Sequence, residues 1–148
     1  RLDQSDPMLA HFHQRLETLI QASGTRERVH FVGRVDNVAA YLQAADLFVF
    51  PSRREGLPNV VMEAMATGLP VVTTPFIGLS AELGVAGEQY LLAEHDAGQL
   101  YEVMRQVLLD DVLRERLGRN GRSWATTHLD IKAILDRYAA LYLELAHR

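Results

Sequence analysis

The sequence has no cysteine among its 148 residues, which excludes a disulfide framework, a zinc–thiolate centre and a thiol nucleophile. That absence agrees with a reducing, cytoplasmic setting. No apolar run approaches the roughly 20 residues of a membrane span, and the N-terminus shows no signal-peptide pattern. Positive charge is scarce: 15 Lys and Arg stand against 19 Asp and Glu, a net charge of −4 at pH 7. The basic stripe of a general nucleic-acid binder is therefore missing. The chain opens at Arg1 without a methionine, and it reads as a piece of a longer protein.

What is present suits one globular core. Hydrophobic residues make up 48% of the chain and charged residues 23%, and a chain of this length buries one core, not two. The six histidines are scattered. His11 and His13 lie two apart, which does not place them on one helical face for a shared metal.

The most informative stretch runs from Ser52 to Pro70. Before it comes Leu47-Phe48-Val49-Phe50, a buried strand by its aromatic and β-branched content, bounded by Pro51. After it comes Val71-Val72-Thr73-Thr74, a second strand, so the stretch is the loop and helix of a strand–helix–strand unit. Pro58 suits the first helical position and Gly68 the stop just past the last turn. The intervening residues Val60, Val61, Met62, Ala64, Met65 and Ala66 are apolar around most of the circumference, which predicts a buried helix over 58–67.

Glu63 lies inside that apolar run, where a carboxylate is costly unless hydrogen-bonded. Two readings stand side by side. Glu63 meets a backbone N–H or hydroxyl of a neighbouring loop, or it accepts from the hydroxyls of a ligand, since helical side chains lean toward the N-terminus and the loop carrying Glu55. Gly56 lets a ligand approach the backbone, and the helix N-terminus suits a phosphate. Two carboxylates beside a phosphate cradle fit a nucleotide-sugar. A glycosidase acid and nucleophile pair fits poorly, because one carboxylate is on a loop and the other on a helix.

With Glu55 and Glu63 embedded as P-S-x-x-E-G-L-P-N-V-V-M-E-A-M-A-T-G-L-P-V-V, the stretch resembles the signature of the group 1 (family 4) glycosyltransferases, retaining enzymes of the GT-B fold. Val29-His-Phe-Val-Gly33 is similar to that family's V-x-F-x-G strand, Ala45-Asp46 to its A-D pair, and Ile77-Gly78 with Glu82 to its V-G-G-x-x-E turn. The resemblance covers nearly the whole chain. It implies a Rossmann-like α/β domain: a parallel sheet with flanking helices, the C-terminal, nucleotide-sugar-binding domain of GT-B. It further implies that Glu55 is the catalytic carboxylate facing the donor sugar, with the backbone of Gly56 and Leu57 at the sugar and its phosphate. Glu63 would accept from the ribose hydroxyls, and Pro58, Asn59, Arg34, Gly78 and Glu82 would complete the donor pocket. The donor would be a UDP- or GDP-sugar and the acceptor a sugar or lipid-linked molecule. No Asp-x-Asp triplet is present to hold a divalent metal, in keeping with the metal-free, cofactor-free chemistry the resemblance implies. The enzyme would be cytoplasmic, or peripheral at the inner face of the membrane in the full-length protein, and would serve bacterial surface polysaccharide or glycolipid synthesis.

Departures from that family's pattern are specific. Leu79 replaces the second glycine of the V-G-G turn, and Tyr90-Leu-Leu-Ala93, a last short strand, lacks the glycine usual within it. The domain's first two strands and the acceptor-binding N-terminal domain would precede Arg1, so strand 29–33 must find a new neighbour, and the chain alone is expected to be inactive. A non-catalytic α/β binding or interaction module and a nucleotide-sugar epimerase of similar fold are the alternatives.

Helix signals complete the reading. Ser5 or Asp6 caps a first helix opened by Pro7, with Phe12, Leu16, Leu19 and Ile20 at helical spacing and Gly24 at its end. Asp36 or Asn37 caps a second through about Ala44, with Val38, Tyr41 and Leu42 inward. Ser80 caps a single turn containing Glu82. Asp96 and Gln99 form a capping box before an amphipathic helix. Leu113 and Leu117 predict a short helix stopped by Gly118, Asn120-Gly121 a turn, and Trp124 a core anchor in the next short helix. Asp130 caps a last helix, whose apolar face from Ile131 to Leu145 is expected to pack. Arg53 and Arg54 are adjacent, so at least one is read as solvated.

Overall fold

The computed structural model describes residues 7–77 and 83–146. By its internal contacts the chain divides into two units, Arg1–Val38 and Ala39–Arg148. Ser5, Asp6, Gly78, Ser80 and Glu82 lie outside the described residues.

In the first unit, helix α1 (Pro7–Ala22) begins at the expected proline, and Gly24 follows it at φ 66°. Single-turn 3-10 geometry at Arg26–Arg28 leads into 29–33, where a strand was expected. No strand forms there. A strand exists only through the hydrogen bonds of a neighbour, and 29–33 pairs with none among the described residues. Phe31 and Val32 are accordingly exposed, with Phe31 resting against the ring of His13 at 5.8 Å.

The second unit contains helix α2 (Val38–Ala44), strand β1 (Phe48–Phe50), helix α3 (Asn59–Thr67), strand β2 (Val71–Thr73), strand β3 (Leu91–Leu92) and helices α4 (Ala97–Leu109), α5 (Asp111–His128) and α6 (Ile131–Ala146). The sheet is parallel in the order β1-β2-β3, with Phe48 opposite Val71 and Val72 opposite Leu91. Among the described residues three strands, not four, make the expected α/β sheet. Central strand β2 is buried throughout because successive side chains enter opposite layers. Val71 joins Val61, Ala64, Met65, Phe76 and Tyr90 on one face. Val72 joins Ala93, Val107, Leu113 and Leu117 on the other.

Of the three α2 residues expected inward, only Leu42 is buried, while Val38 and Tyr41 are exposed; a helix of two turns meets the core along a single row. A larger correction concerns α5. Two short helices and a turn were expected, yet one helix runs through Gly118, Asn120 and Gly121. Its glycines serve close packing rather than termination. A Cβ on Gly118 would collide with the backbone oxygen of Gly68 at the C-terminus of α3, and one on Gly121 would touch Met65 and Gln89 O at 3.4–3.5 Å. Helix α5 therefore spans both core layers, giving Leu117 to one and Ala125 to the other.

Helix α6 is capped as expected, Asp130 Oδ1 accepting from Ala133 N at 2.8 Å. Its packing expectation fails: no residue of α6 is buried, and Leu135, Tyr138 and Tyr142 are all more than half exposed. No helix among the described residues is long and apolar enough to cross a membrane.

Asp110 joins two helices at once. Its N–H closes α4 on Gln106 O at 3.0 Å, and its Oδ1 accepts from Leu113 N at 2.9 Å to cap α5. Substituting an N-cap aspartate by alanine costs about 1 kcal/mol. Asp110→Ala should therefore lower the unfolding free energy by that amount, read as a lower urea midpoint at an unchanged m-value, and Asp110→Asn should retain most of the cap.

Candidate functional site at the carboxyl edge of the sheet

In an open parallel sheet, ligands bind outside the carboxyl ends of the strands. The segment after β1 crosses that edge. The last backbone bond of the β1–β2 ladder runs from Thr74 N to Phe50 O at 3.4 Å. Side-chain hydroxyls carry the connection onward: Thr73 Oγ1 donates to Phe50 O at 2.9 Å and Thr74 Oγ1 to Ser52 O at 2.7 Å. Backbone pairing then resumes, Ile77 N donating to Arg53 O at 3.1 Å and Glu55 N to Ile77 O at 3.0 Å. The exit of β3 is tied in as well, His95 Nε2–H donating to Pro75 O at 2.6 Å.

This frame sets Glu55 half-buried at the strand edge. One carboxylate oxygen, Oε1, accepts from Ser52 Oγ at 2.6 Å. Gly56 follows, and a Cβ there would meet nothing within 4 Å, so the backbone faces open space. Leu57 is 71% exposed. Pro58 occupies the N-cap of α3, one position earlier than expected, and supplies no side-chain cap hydrogen bond. Asn59 is exposed. At the far end Gly68 adopts the left-handed conformation at φ 80° and closes the helix, as its sequence position implies.

Glu63 corrects the expectation of a helix buried all round. Val61, Ala64 and Met65 are fully buried, but Glu63 is exposed. Helical geometry supplies the reason. At about 100° per residue, Ala64 and Met65 fall within about 60° of Val61, while Glu63 lies about 200° away. Asn59, Glu63 and Ala66 share the open face. The desolvation cost disappears, and the carboxylate meets no hydrogen-bond donor among the described residues.

The structure thus brings Glu55, Gly56, Leu57, Pro58, Asn59 and Glu63 onto one loop and the helix it opens. Arg34 is exposed and belongs to the first unit. Gly78 and Glu82 fall outside the described residues. Arg53 and Arg54 have exposed side chains, consistent with solvation. Sequence reasoning overlooked Ser52, Thr73, Thr74 and His95. The signal for the first three was available: hydroxyl side chains at and just beyond the carboxyl ends of two adjacent strands.

A cleft of about 250 Å³ opens at the opposite edge, lined by Asp46, Gly68, Pro70 and Arg114 among others. Its arginine is already engaged, by Asp111 at 2.6 Å and by Leu108 O at 3.0 Å. In the core, burial pushes the Tyr90 phenol above its ordinary value of 10.0, away from the carboxyl edge.

Residues 11–124 match the family described as glycosyl transferases group 1. The chain is 34% identical over 127 residues to the lipopolysaccharide glucosyltransferase WaaG of Escherichia coli K12, covering 85% of this chain and 34% of that protein. Among solved structures it is similar to a sucrose-phosphate synthase from Thermosynechococcus elongatus, with TM-score 0.82 and 33% identity, covering 97% of this chain and 37% of the other. Anabaena Alr3699/HepE in complex with UDP-glucose shares the fold, with TM-score 0.81 and 24% identity over 91% of this chain and 37% of the other. The chain spans about a third of the length of these relatives.

Proposed function

The chain belongs to the glycosyl transferases of group 1, and on that premise we propose that it is the donor-binding half of a retaining enzyme. The enzyme moves a glycosyl group from a UDP- or GDP-sugar to a sugar or lipid-linked acceptor in bacterial surface polysaccharide or glycolipid synthesis. One observation carries the reading: two carboxylates, Glu55 and Glu63, on either side of an open turn at the carboxyl edge of a parallel sheet. The structures of HepE with UDP-glucose and the function named for WaaG support it.

In this reading Glu55 addresses the donor sugar at the reacting centre. Gly56 and Leu57 offer backbone N–H groups to the diphosphate at the start of α3, with Pro58 and Asn59 shaping the turn. Glu63 accepts from the ribose hydroxyls. Stabilising charge on the departing diphosphate is the main catalytic demand, and these groups meet it without a metal. The acceptor is held by an N-terminal domain of the same enzyme, against which the apolar face of α6 packs. The 148-residue chain is inactive in transfer when alone, and the whole enzyme works in the cytoplasm or at the inner membrane face.

A thermal unfolding scan against UDP, GDP and ADP and their sugars tests this. A ligand at 100 times its Kd adds about 2.7 kcal/mol to the folded state, which for a chain of this size raises Tm by roughly 5–10 °C. One nucleotide should shift a cooperative transition and so name the base. A cooperative transition that no nucleotide shifts refutes the proposal.

A further inference from the structure

Glu55 does not hold its own position. A carboxylate on a loop that opens into solvent has several staggered rotamers, and recognition of a sugar requires one of them. Here the selection is traceable to the central strand. Thr74 is 1% exposed, and its hydroxyl donates to the carbonyl of Ser52 at 2.7 Å, just beyond the last β1–β2 backbone bond, from Thr74 N to Phe50 O at 3.4 Å. With its carbonyl held, Ser52 presents its own hydroxyl to Glu55 Oε1 at 2.6 Å. Glu55 N is anchored separately on Ile77 O at 3.0 Å, so main chain and side chain of Glu55 are both tied to the β2 exit.

We propose that Ser52 is a positioning residue for Glu55, with Thr74 as its anchor: the serine hydroxyl occupies one carboxylate oxygen and leaves the other aimed at the sugar of the donor. A carboxylate accepts through both oxygens, so engaging Oε1 orients Oε2 without consuming it. The inference rests on the reading of Glu55 as a donor contact. It assigns Ser52 to sugar recognition and not to nucleotide affinity, because its hydroxyl acts on Glu55 alone among the carboxylates of the site.

Calorimetric titration of the full 148-residue chain with UDP-glucose against UDP, and with GDP-mannose against GDP, tests it. Ser52→Ala is expected to weaken the nucleotide-sugar about tenfold, the size of one lost charge-assisted hydrogen bond. Bare nucleotide should stay within about twofold, and Ser52→Thr, which restores the hydroxyl, should restore sugar binding. Thr74→Val keeps the buried shape and should show the same split between sugar and bare nucleotide, read below its own melting transition. Equal losses for nucleotide and nucleotide-sugar in Ser52→Ala would overturn the inference, since collapse of the loop would then be the cause. Parent-like sugar binding by Ser52→Ala beside a weakened Glu55→Gln overturns the positioning role alone. Parent-like binding by Glu55→Gln, or a parent that binds neither pair, overturns the donor reading beneath it.

Discussion

Gly118→Ala is expected to destabilise the chain by about 3 kcal/mol, while Gly121→Ala, three residues along the same helix, should leave stability unchanged or slightly raised. The added methyl at 118 points into the backbone oxygen of Gly68, which has no rotamer to move. Relief requires α5 to slide off the end of α3, opening both core layers that α5 joins. Overpacking of this kind costs about 1–3 kcal/mol and occasionally more, and a backbone obstacle belongs at the upper end. At Gly121 the methyl makes ordinary contact with Met65 and Gln89 O, and alanine gains up to about 1 kcal/mol of helix propensity. Thermal melts should separate the two variants by on the order of 10 °C. Equal melting temperatures would mean that the helices are not held together at Gly118.

That contrast shows where the sequence was and was not legible. Signals carried by neighbouring residues read correctly. Phe48-Val49-Phe50 and Val71-Val72-Thr73 announced strands, Asp96 a cap confirmed by its bond to Gln99 N at 2.9 Å, and Gly68 a left-handed stop. Signals whose meaning depends on a distant partner did not. Gly118 and Gly121 looked like breakers because the helix end they accommodate, at Gly68, lies some fifty residues earlier in the chain. Val29–Gly33 had strand composition but no neighbour to pair with among the described residues. Val60, Met62 and Ala66 suggested an all-round apolar helix, yet which side of α3 is buried depends on the contact with α5 and β2, which fixes Val61, Ala64 and Met65 inward.

The exposed position of Glu63 makes the sharpest test of the site, because function and folding can be separated there. Glu63→Ala should weaken binding of the preferred nucleoside diphosphate on the order of 100-fold while leaving the melting temperature within about 2 °C. The stability half follows from geometry: the side chain is exposed, no described residue donates to it, and alanine favours a helix at least as well. The binding half follows from chemistry. A carboxylate accepting from two vicinal hydroxyls makes two charge-assisted hydrogen bonds, each about 1.5–3 kcal/mol, and tenfold in affinity is 1.4 kcal/mol. A 2′-deoxy nucleotide locates the effect. The parent should bind it more weakly than the ribonucleotide, and Glu63→Ala should no longer distinguish the two, since the variant lacks the group that reads the missing hydroxyl. Had Glu63 been buried as its apolar neighbours suggested, the same substitution would have changed folding and binding together. A variant that folds and still prefers the ribonucleotide by the parent's margin would remove Glu63 from the ribose and leave it a solvated residue on the open face of α3.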